Sequence, residues 1–447
     1  GKKALNVGWD RGTHPGLDND ALDKDFAGHI QMDGVTAQKK GDPEAALTKA
    51  KNSVEATYHL PYLAHAAIEP MNCTACVCPD KCDIWAPTQD QSGIIHSAAE
   101  LTGLDPEQIF VHTTYLGGGF GRRLEIDYAV EAVELSKTIG KPVKVVWTRE
   151  DDFQNDFHRP ASSCHMKAGL DSKARLNVWT RKVAAPSIFS RVYPDAVENG
   201  VDPAAVEGLA DSQYEVPHTL TKYVRVDTPV PVGFWRSVGH SHNAFFVESF
   251  IDEAAHAAAK DPLEFRLALL DSHPRVRKVL ETAADKAGWG KPRPAGEGRG
   301  IAQHFSYGSY VAQVADVSVD RDSGKVTVKR VVCAVDCGTV INPAIAAAQI
   351  RGGVIFGLSA AMMEEVLFQS GGVHSLNFNR YRIARMKDSP TIDVYFVEGP
   401  VEPGGIGEVA VPPLAPAIAN AVFDAVGARL RRLPMRPAMV REAMKNV

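Results

Sequence analysis

Gly404-Gly405-Ile406-Gly407-Glu408-Val409-Ala410-Val411-Pro412-Pro413 holds one carboxylate between glycines, whose backbone reaches shapes closed to other residues, and two prolines, which fix φ and donate no N–H. The run that follows, 414–430, spaces Ala417, Ile418, Ala421, Val422, Ala425 and Leu430 as a buried helix would. A carboxylate on a stiff lead-in to a core helix is held as a catalytic base must be held. Taken alone, the stretch is also readable as a helix-entry turn carrying a solvated Glu.

The 447 residues, 45% apolar and 23% charged, suffice for two or three domains with cores of their own, and the mixture is globular rather than disordered or fibrous. A net charge of −5 with both signs interspersed gives no footing for nucleic acid. The longest apolar run, 352–363, falls short of the ~20 residues of a membrane-spanning helix, so no span is expected in this chain. Gly1-Lys2-Lys3 has neither an initiator Met nor a signal sequence, and Ala4-Leu5-Asn6-Val7-Gly8-Trp9 alternates like a strand in mid-domain, so a fragment of a longer chain is expected.

Seven cysteines form no disulfide framework. Cys73, Cys76, Cys78 and Cys82 have a spacing that thiolate-bound iron–sulfur or zinc could use. The segment reads instead as a hairpin around Pro79-Asp80-Lys81, which puts Cys76 and Cys78 on one face and Cys73 on the other, poor geometry for one cluster. His65 and Glu69 have ligand spacing for a helix, but Pro70 and the adjoining strand signals argue against one and leave ordinary hydrogen bonding.

Outward from these points the chain alternates strands and helices. Residues 11–45 are polar and loop-like with one short helix near 20–26, and 54–60 alternates as a strand. Trp85-Ala86-Pro87-Thr88-Gln89 leads into a helix at 96–101. A strand at 108–115, the loop Leu116-Gly117-Gly118-Gly119-Phe120-Gly121-Arg122-Arg123 and a helix at 126–139 resemble a nucleotide site, yet the dinucleotide fingerprint fails because Arg122 stands at its third glycine. What remains is a loop that can approach a ligand closely, with N–H groups and two arginines to cradle an anion, or a structural tight turn. Past strand-like stretches broken by a polar insertion at 193–211, Gly233-Phe234-Trp235-Arg236-Ser237 sets one Arg among aromatics and opens a helix at 243–259. A Gly/Pro/Arg-rich linker at 290–300, a hairpin at 310–319 and 325–335, and a helix carrying Gln349 after Asn342-Pro343 complete the pattern.

Together and in this order, these loops resemble the molybdopterin-binding subunit of the xanthine oxidase family, over about residues 50–435 and closest to the branch of isoquinoline 1-oxidoreductase β subunits and bacterial aldehyde dehydrogenases. The resemblance implies an α+β fold of two elongated mixed domains with the cofactor between them: an extended lead at 1–50, a first domain at 51–289, a linker at 290–300 and a second domain at 301–447. It implies Glu408 as base, Arg236 as the cation that meets charge developing on the substrate, and Gln89 near the apical ligand of molybdenum. Gly117, Gly118, Gly119, Phe120, Gly121, Arg122, Asn342, Gln349 and Gly407 are then expected to contact cofactor, and Leu124, Phe234 and Trp235 to form an apolar substrate pocket. The pterin dithiolene holds the metal, so no protein ligand to it is expected.

The activity implied is oxidation of aldehydes to carboxylic acids with water-derived oxygen; hydroxylation of isoquinoline-like N-heteroaromatics is the alternative, and a non-catalytic scaffold subunit a further one. Molybdopterin cytosine dinucleotide is the implied cofactor, with [2Fe-2S] clusters on a small partner subunit, a cytochrome c acceptor, and a periplasmic or alternatively cytoplasmic complex. Three departures qualify the match. Leu124 stands where purine-oxidising relatives carry Glu, which argues against xanthine, and Val409 stands where Pro often follows the base. A Gly-Gln-Gly loop and a phosphate-binding stretch are missing, so a separate chain is expected to carry that part of the cofactor cradle.

Overall fold

The alternating stretch around 54–60 is the strand Asn52–Leu60, with Ala56, Tyr58 and Leu60 turned into the core. It forms one edge of a five-stranded sheet in the order Val35–Lys40, His218–Arg225, Leu176–Ala185, Ser162–Leu170, Asn52–Leu60. The computed structural model describes residues 4–8, 10, 12–397, 399, 401–445 and 447. A second sheet, Ile109–Thr113, Cys82–Ala86, Asn72–Val77 and Val143–Val146, contains the predicted cysteine hairpin and packs one face on the helices Gln91–Thr102 and Asp127–Ile139. A third, Glu297–Ser306, Ser309–Val319, Val326–Asp336 and Thr391–Phe396, is built on the predicted hairpin and closed by a parallel strand.

One core runs from the first sheet to the third, and the helix His240–Ala257 lies inside it, buried from His240 to Ala255. That helix carries Glu248, Asp252 and Glu253 into the interior, where each meets an arginine: Arg266 Nε at 2.9 Å, Arg429 Nη1 at 2.7 Å and Arg431 Nη2 at 2.5 Å respectively. Glu248 and Arg266 are both fully buried, so removing either would strand a charge at a cost of about 3–5 kcal/mol. The helix expected at 414–430 is Leu414–Val426, ended by Gly427 at φ +76 so that Leu430 lies beyond it, and it is laid across the strand Glu297–Ser306.

Three further expectations are corrected. Residues 4–8 form no strand, and Trp9, with Gly1, Lys2, Lys3 and Arg11, lies outside the described residues. The lead at 1–50 is not extended throughout: it supplies the helices Asn19–His29 and Pro43–Thr48 and the sheet-edge strand Val35–Lys40, whose lysines and polar residues hide its alternation but suit an edge. The linker at 290–300 ends early, because Glu297 already begins a strand. Its Gly298 and Gly300 are there for contact, since a Cβ on Gly300 would collide with the Ala417 carbonyl and the Ala421 amide of the crossing helix.

The apolar run near 352–363 belongs to a longer helix, Pro343–Met362, the one helix among the described residues long and apolar enough to cross a membrane. Ile350, Val354, Leu358 and Ala361 are nevertheless at most 2% exposed within the main core, so its inner face packs as a core helix does.

Gly300→Val is expected to lower the urea midpoint by the equivalent of about 1–3 kcal/mol through overpacking, with the slope unchanged. An unaltered midpoint would mean that the helix Leu414–Val426 can lift away from its strand.

Candidate active site

Seven segments of the chain line one cleft of about 650 Å³. The first follows the strand Cys82–Ala86. Thr88 is buried; its Oγ1 donates to the Arg123 carbonyl (3.3 Å) and accepts from Asp90 N–H (2.9 Å). Gln89 N–H donates to the same carbonyl, and its Oε1 accepts from Gly121 N–H at 3.2 Å, which locks the Gln to the glycine loop.

The glycine loop is fixed in turn by the segment 233–238. Gly121 has φ +108, and a Cβ there would run into the Phe234 carbonyl. His65 Nε2 donates to that carbonyl at 2.8 Å while its Nδ1 faces Asp156 Oδ1 at 2.8 Å. Burial pushes Asp156 up, but His65, His158 and Arg122 outweigh it and hold the carboxyl well below the usual range.

Two residues beyond Phe234, Arg236 donates from Nε to the Gly407 carbonyl (2.9 Å) and from Nη2 to Gln349 Oε1 (3.1 Å). Burial lowers the guanidinium from its usual value, and the Glu408 carboxylate opposes that shift. Glu408 is itself gripped at both ends: Ser237 N–H donates to Oε2 at 3.3 Å, and Ser237 Oγ donates to the Glu408 carbonyl at 2.8 Å. Tyr307, at the turn between the strands Glu297–Ser306 and Ser309–Val319, brings its hydroxyl to Glu408; burial and then the charges of Glu408 and Glu207 push the phenol far up. Phe120, Ser237, Val238 and Tyr307 all have positive φ although none is glycine, a concentration of backbone strain that marks functional sites.

Of the residues selected from sequence, the cleft gathers Gln89, Gly119, Phe120, Gly121, Leu124, Phe234, Trp235, Arg236, Gln349, Gly407 and Glu408. Four lie elsewhere. Gly117 and Gly118 are not on its wall; Gly117 N–H is tied to Glu69 Oε2 at 2.7 Å. Arg122 is 1% exposed, paired with Asp127 through both Nη atoms (2.9 and 2.7 Å), and Arg123 is held by Glu69 and by backbone carbonyls. Neither arginine is free to cradle an anion. Asn342 caps the helix Pro343–Met362, accepting Ile345 N–H at 3.1 Å, and only Gln349 of that segment reaches the cleft. A second cavity, about 720 Å³ and bordered by Trp289, Arg293 and Arg429, includes none of these groups.

Six residues of the site escaped the selection from sequence: Leu116, Tyr193, Glu207, Ser237, Val238 and Tyr307. Tyr193 lines the cleft and Glu207 lies behind Glu408; both come from the polar insertion at 193–211, whose composition resembles any surface loop. Glu207 Oε1 accepts Gly239 N–H at 2.6 Å, and His240 Nε2 lies 3.7 Å from Oε2. Burial raises Glu207 to about 8 and lowers His240 to about 4. Tyr307 could have been suspected from Tyr307-Gly308, two residues suited to a tight hairpin turn.

Residues 26–269 and 250–390 each match a family described as "Molybdopterin cofactor-binding domain". The chain belongs to the molybdopterin-binding large subunits of the xanthine oxidase family. It is 33% identical to isoquinoline 1-oxidoreductase subunit beta of Brevundimonas diminuta (92% of this chain, 54% of that protein). It is also 33% identical to the membrane-bound aldehyde dehydrogenase [pyrroloquinoline-quinone] of Gluconacetobacter polyoxogenes (90% and 56%). The chain thus spans about half the length of these curated relatives. Its fold superposes on quinoline 2-oxidoreductase from Pseudomonas putida 86 with a TM-score of 0.81 at 15% identity, covering 92% of this chain and 78% of that one. The cleft draws its lining from 89, 116–124, 193, 234–238, 307, 349 and 407–408, segments far apart in the chain.

Because Glu207 keeps its proton to about pH 8 when folded, whereas an ordinary Glu gives it up near 4.5, the unfolded chain binds fewer protons across that window and stability falls as pH rises through it. Glu207→Gln should flatten this slope, leaving the variant more stable than the parent at pH 8, by on the order of a few kcal/mol, and no more stable at pH 4. Urea unfolding across the pH range measures the difference.

Proposed function

We propose that this chain provides the base-bearing part of the active site of a molybdenum hydroxylase that oxidises aldehydes to carboxylic acids with oxygen from water. The observation that carries the proposal is the meeting, in one cleft of a molybdopterin-binding chain, of a carboxylate, a guanidinium and a side-chain amide, each held by the backbone of another segment. A Cβ on Gly407 would meet nothing within 4 Å, so the backbone beside Glu408 lies open to a closely approaching ligand. Gly119, Phe120, Gly121, Gln89, Gln349 and Gly407 are the groups that would hold the pterin.

When bound, the molybdenum cofactor supplies the two-electron acceptor and the site from which oxygen is delivered. The protein's share is positioning and proton transfer. Glu408 receives a proton at a carboxylate oxygen that Ser237 N–H already orients, a contribution of about 10²- to 10⁴-fold for a placed base. Arg236 keeps a fixed positive charge beside the reacting carbon and stabilises oxyanion character there, while its bonds to the Gly407 carbonyl and Gln349 keep it from swinging onto Glu408. Phe120, Leu124, Phe234 and Trp235 make the substrate wall apolar and largely aromatic. That wall favours a second reading, hydroxylation of N-heteroaromatic rings, in keeping with the name of the Brevundimonas relative.

Subunit names among the relatives imply that this chain works within a complex. The proposed cofactor form is the cytosine dinucleotide, and electrons leave through [2Fe-2S] clusters on a separate subunit to a cytochrome c. A separate chain supplies the remaining cofactor contacts.

In the purified complex, Glu408→Gln is expected to reduce kcat at least about 10²-fold with molybdenum and pterin content unchanged. Arg236→Ala should lower kcat/KM for every substrate in a panel of aldehydes and azaarenes. Absence of molybdenum from the active complex, or full turnover by both variants, would overturn the assignment, and the panel separates the two substrate readings.

A further inference from the structure

Seven free thiols are present, and Cys73, Cys82, Cys164, Cys333 and Cys337 are buried. The other two, Cys76 and Cys78, are half-buried, two residues apart at the end of the strand Asn72–Val77, with their Sγ atoms 3.9 Å from each other. Alternation along the strand puts Cys73 and Ala75 among the core residues beneath the helices and turns Cys76 to the opposite face. On that face Cys76 stands across from Asp83, which is in register with Phe110, while Thr74 stands across from Trp85. Trp85 and Phe110 are 40% and 45% exposed, so the helices leave this side of the sheet open.

We propose that Cys76 and Cys78 form a vicinal dithiol that closes to an intramolecular disulfide by exchange with a small-molecule disulfide such as glutathione disulfide. One protein thiolate attacks a sulfur of the small disulfide, breaking its S–S bond, releasing one small thiol and leaving a mixed disulfide. The second protein thiolate then attacks the protein sulfur of that mixed disulfide, forming the Cys76–Cys78 bond and releasing the second small thiol. The two protein sulfurs are oxidised, the two small-molecule sulfurs reduced, and the protons of the two protein thiols end on the small thiols.

Three features select this pair. The sulfurs are in contact, whereas the remaining thiols are shielded in cores, where exchange is blocked. Extended residues two apart have Cα atoms about 6.6 Å from each other, near the upper end of the ~4.4–6.8 Å range that a disulfide bridges. Cys78 also lies beyond the last strand residue, tied to the turn by its N–H bond to the Lys81 carbonyl (2.8 Å), so closure is not opposed by a full ladder. None of the cleft residues is involved, and the inference is independent of the proposed reaction.

The purified protein is incubated with glutathione disulfide, alkylated with N-ethylmaleimide and analysed by peptide mass spectrometry. The expected result is simultaneous loss of two alkylation sites, at Cys76 and Cys78, with a peptide lighter by two hydrogens and no retained glutathione. Cys76→Ser should instead keep one glutathione on Cys78. Phenylarsine oxide, which bridges adjacent thiols without backbone movement, should shield both cysteines in the parent and neither in the variant. Two glutathione adducts on the parent, an unreactive pair, or capture by the arsenical without disulfide formation would each overturn the proposal.

Discussion

A carboxylate buried away from water must be paired, and the helix His240–Ala257 carries three of them through the middle of the protein. Arg266 comes from a neighbouring helix and Arg429 and Arg431 from one stretch near the C-terminus, so the charges of one helix dictate where both must lie. The helix begins at the loop that presents Arg236, Ser237 and Gly239. Holding its body in place holds the loop, and with it the hydrogen bonds that orient Glu408 and Glu207. Placement of the side chains lining the cleft therefore rests on electrostatic matching along this helix.

The loops of the cleft share a second constraint, that most of their charged side chains are committed to structure. Arg122 and Arg123 face inward to Asp127, Glu69 and backbone carbonyls, and His65 divides its two nitrogens between Asp156 and the Phe234 carbonyl. Arg236 stands apart: its partners are a carbonyl and an amide, so its positive charge is not neutralised by a direct ion pair there. A glycine-rich loop flanked by arginines suggests an anion cradle, but here the arginines keep the loop's shape and, of the polar groups there, only the backbone and Gln89 face the cleft.

Much of this was legible beforehand. Strands with clear alternation, such as Asn52–Leu60, and helices with an apolar stripe, such as Leu414–Val426, lie where their spacing predicts. Glu408, Arg236 and Gln89 could be selected because glycine, proline and aromatic residues surround them in sequence, and the resemblance to a known family gave the order of the loops. What stayed hidden was hidden for physical reasons. The strand Val35–Lys40 is an edge dressed in lysine, Gly298 and Gly300 look like linker residues until the helix that touches them is in place, and Glu207 carries no local signal because its burial comes from segments distant in the chain. Arg122 misled because sequence shows a charge without showing its partner.

The contact between Gly121 and the Phe234 carbonyl has a consequence for how such a site can diversify. With no room for even one carbon between the two backbones, neither loop can shift without the other, and a larger residue at 121 is incompatible with the present path at 234. Side chains free of that lock, among them Leu116, Leu124 and Tyr193, are 38%, 39% and 56% exposed around the cleft and can change without moving either backbone. Shape and lining of the cleft are thereby separable traits: one is fixed by paired backbones, and the other can change residue by residue at the rim.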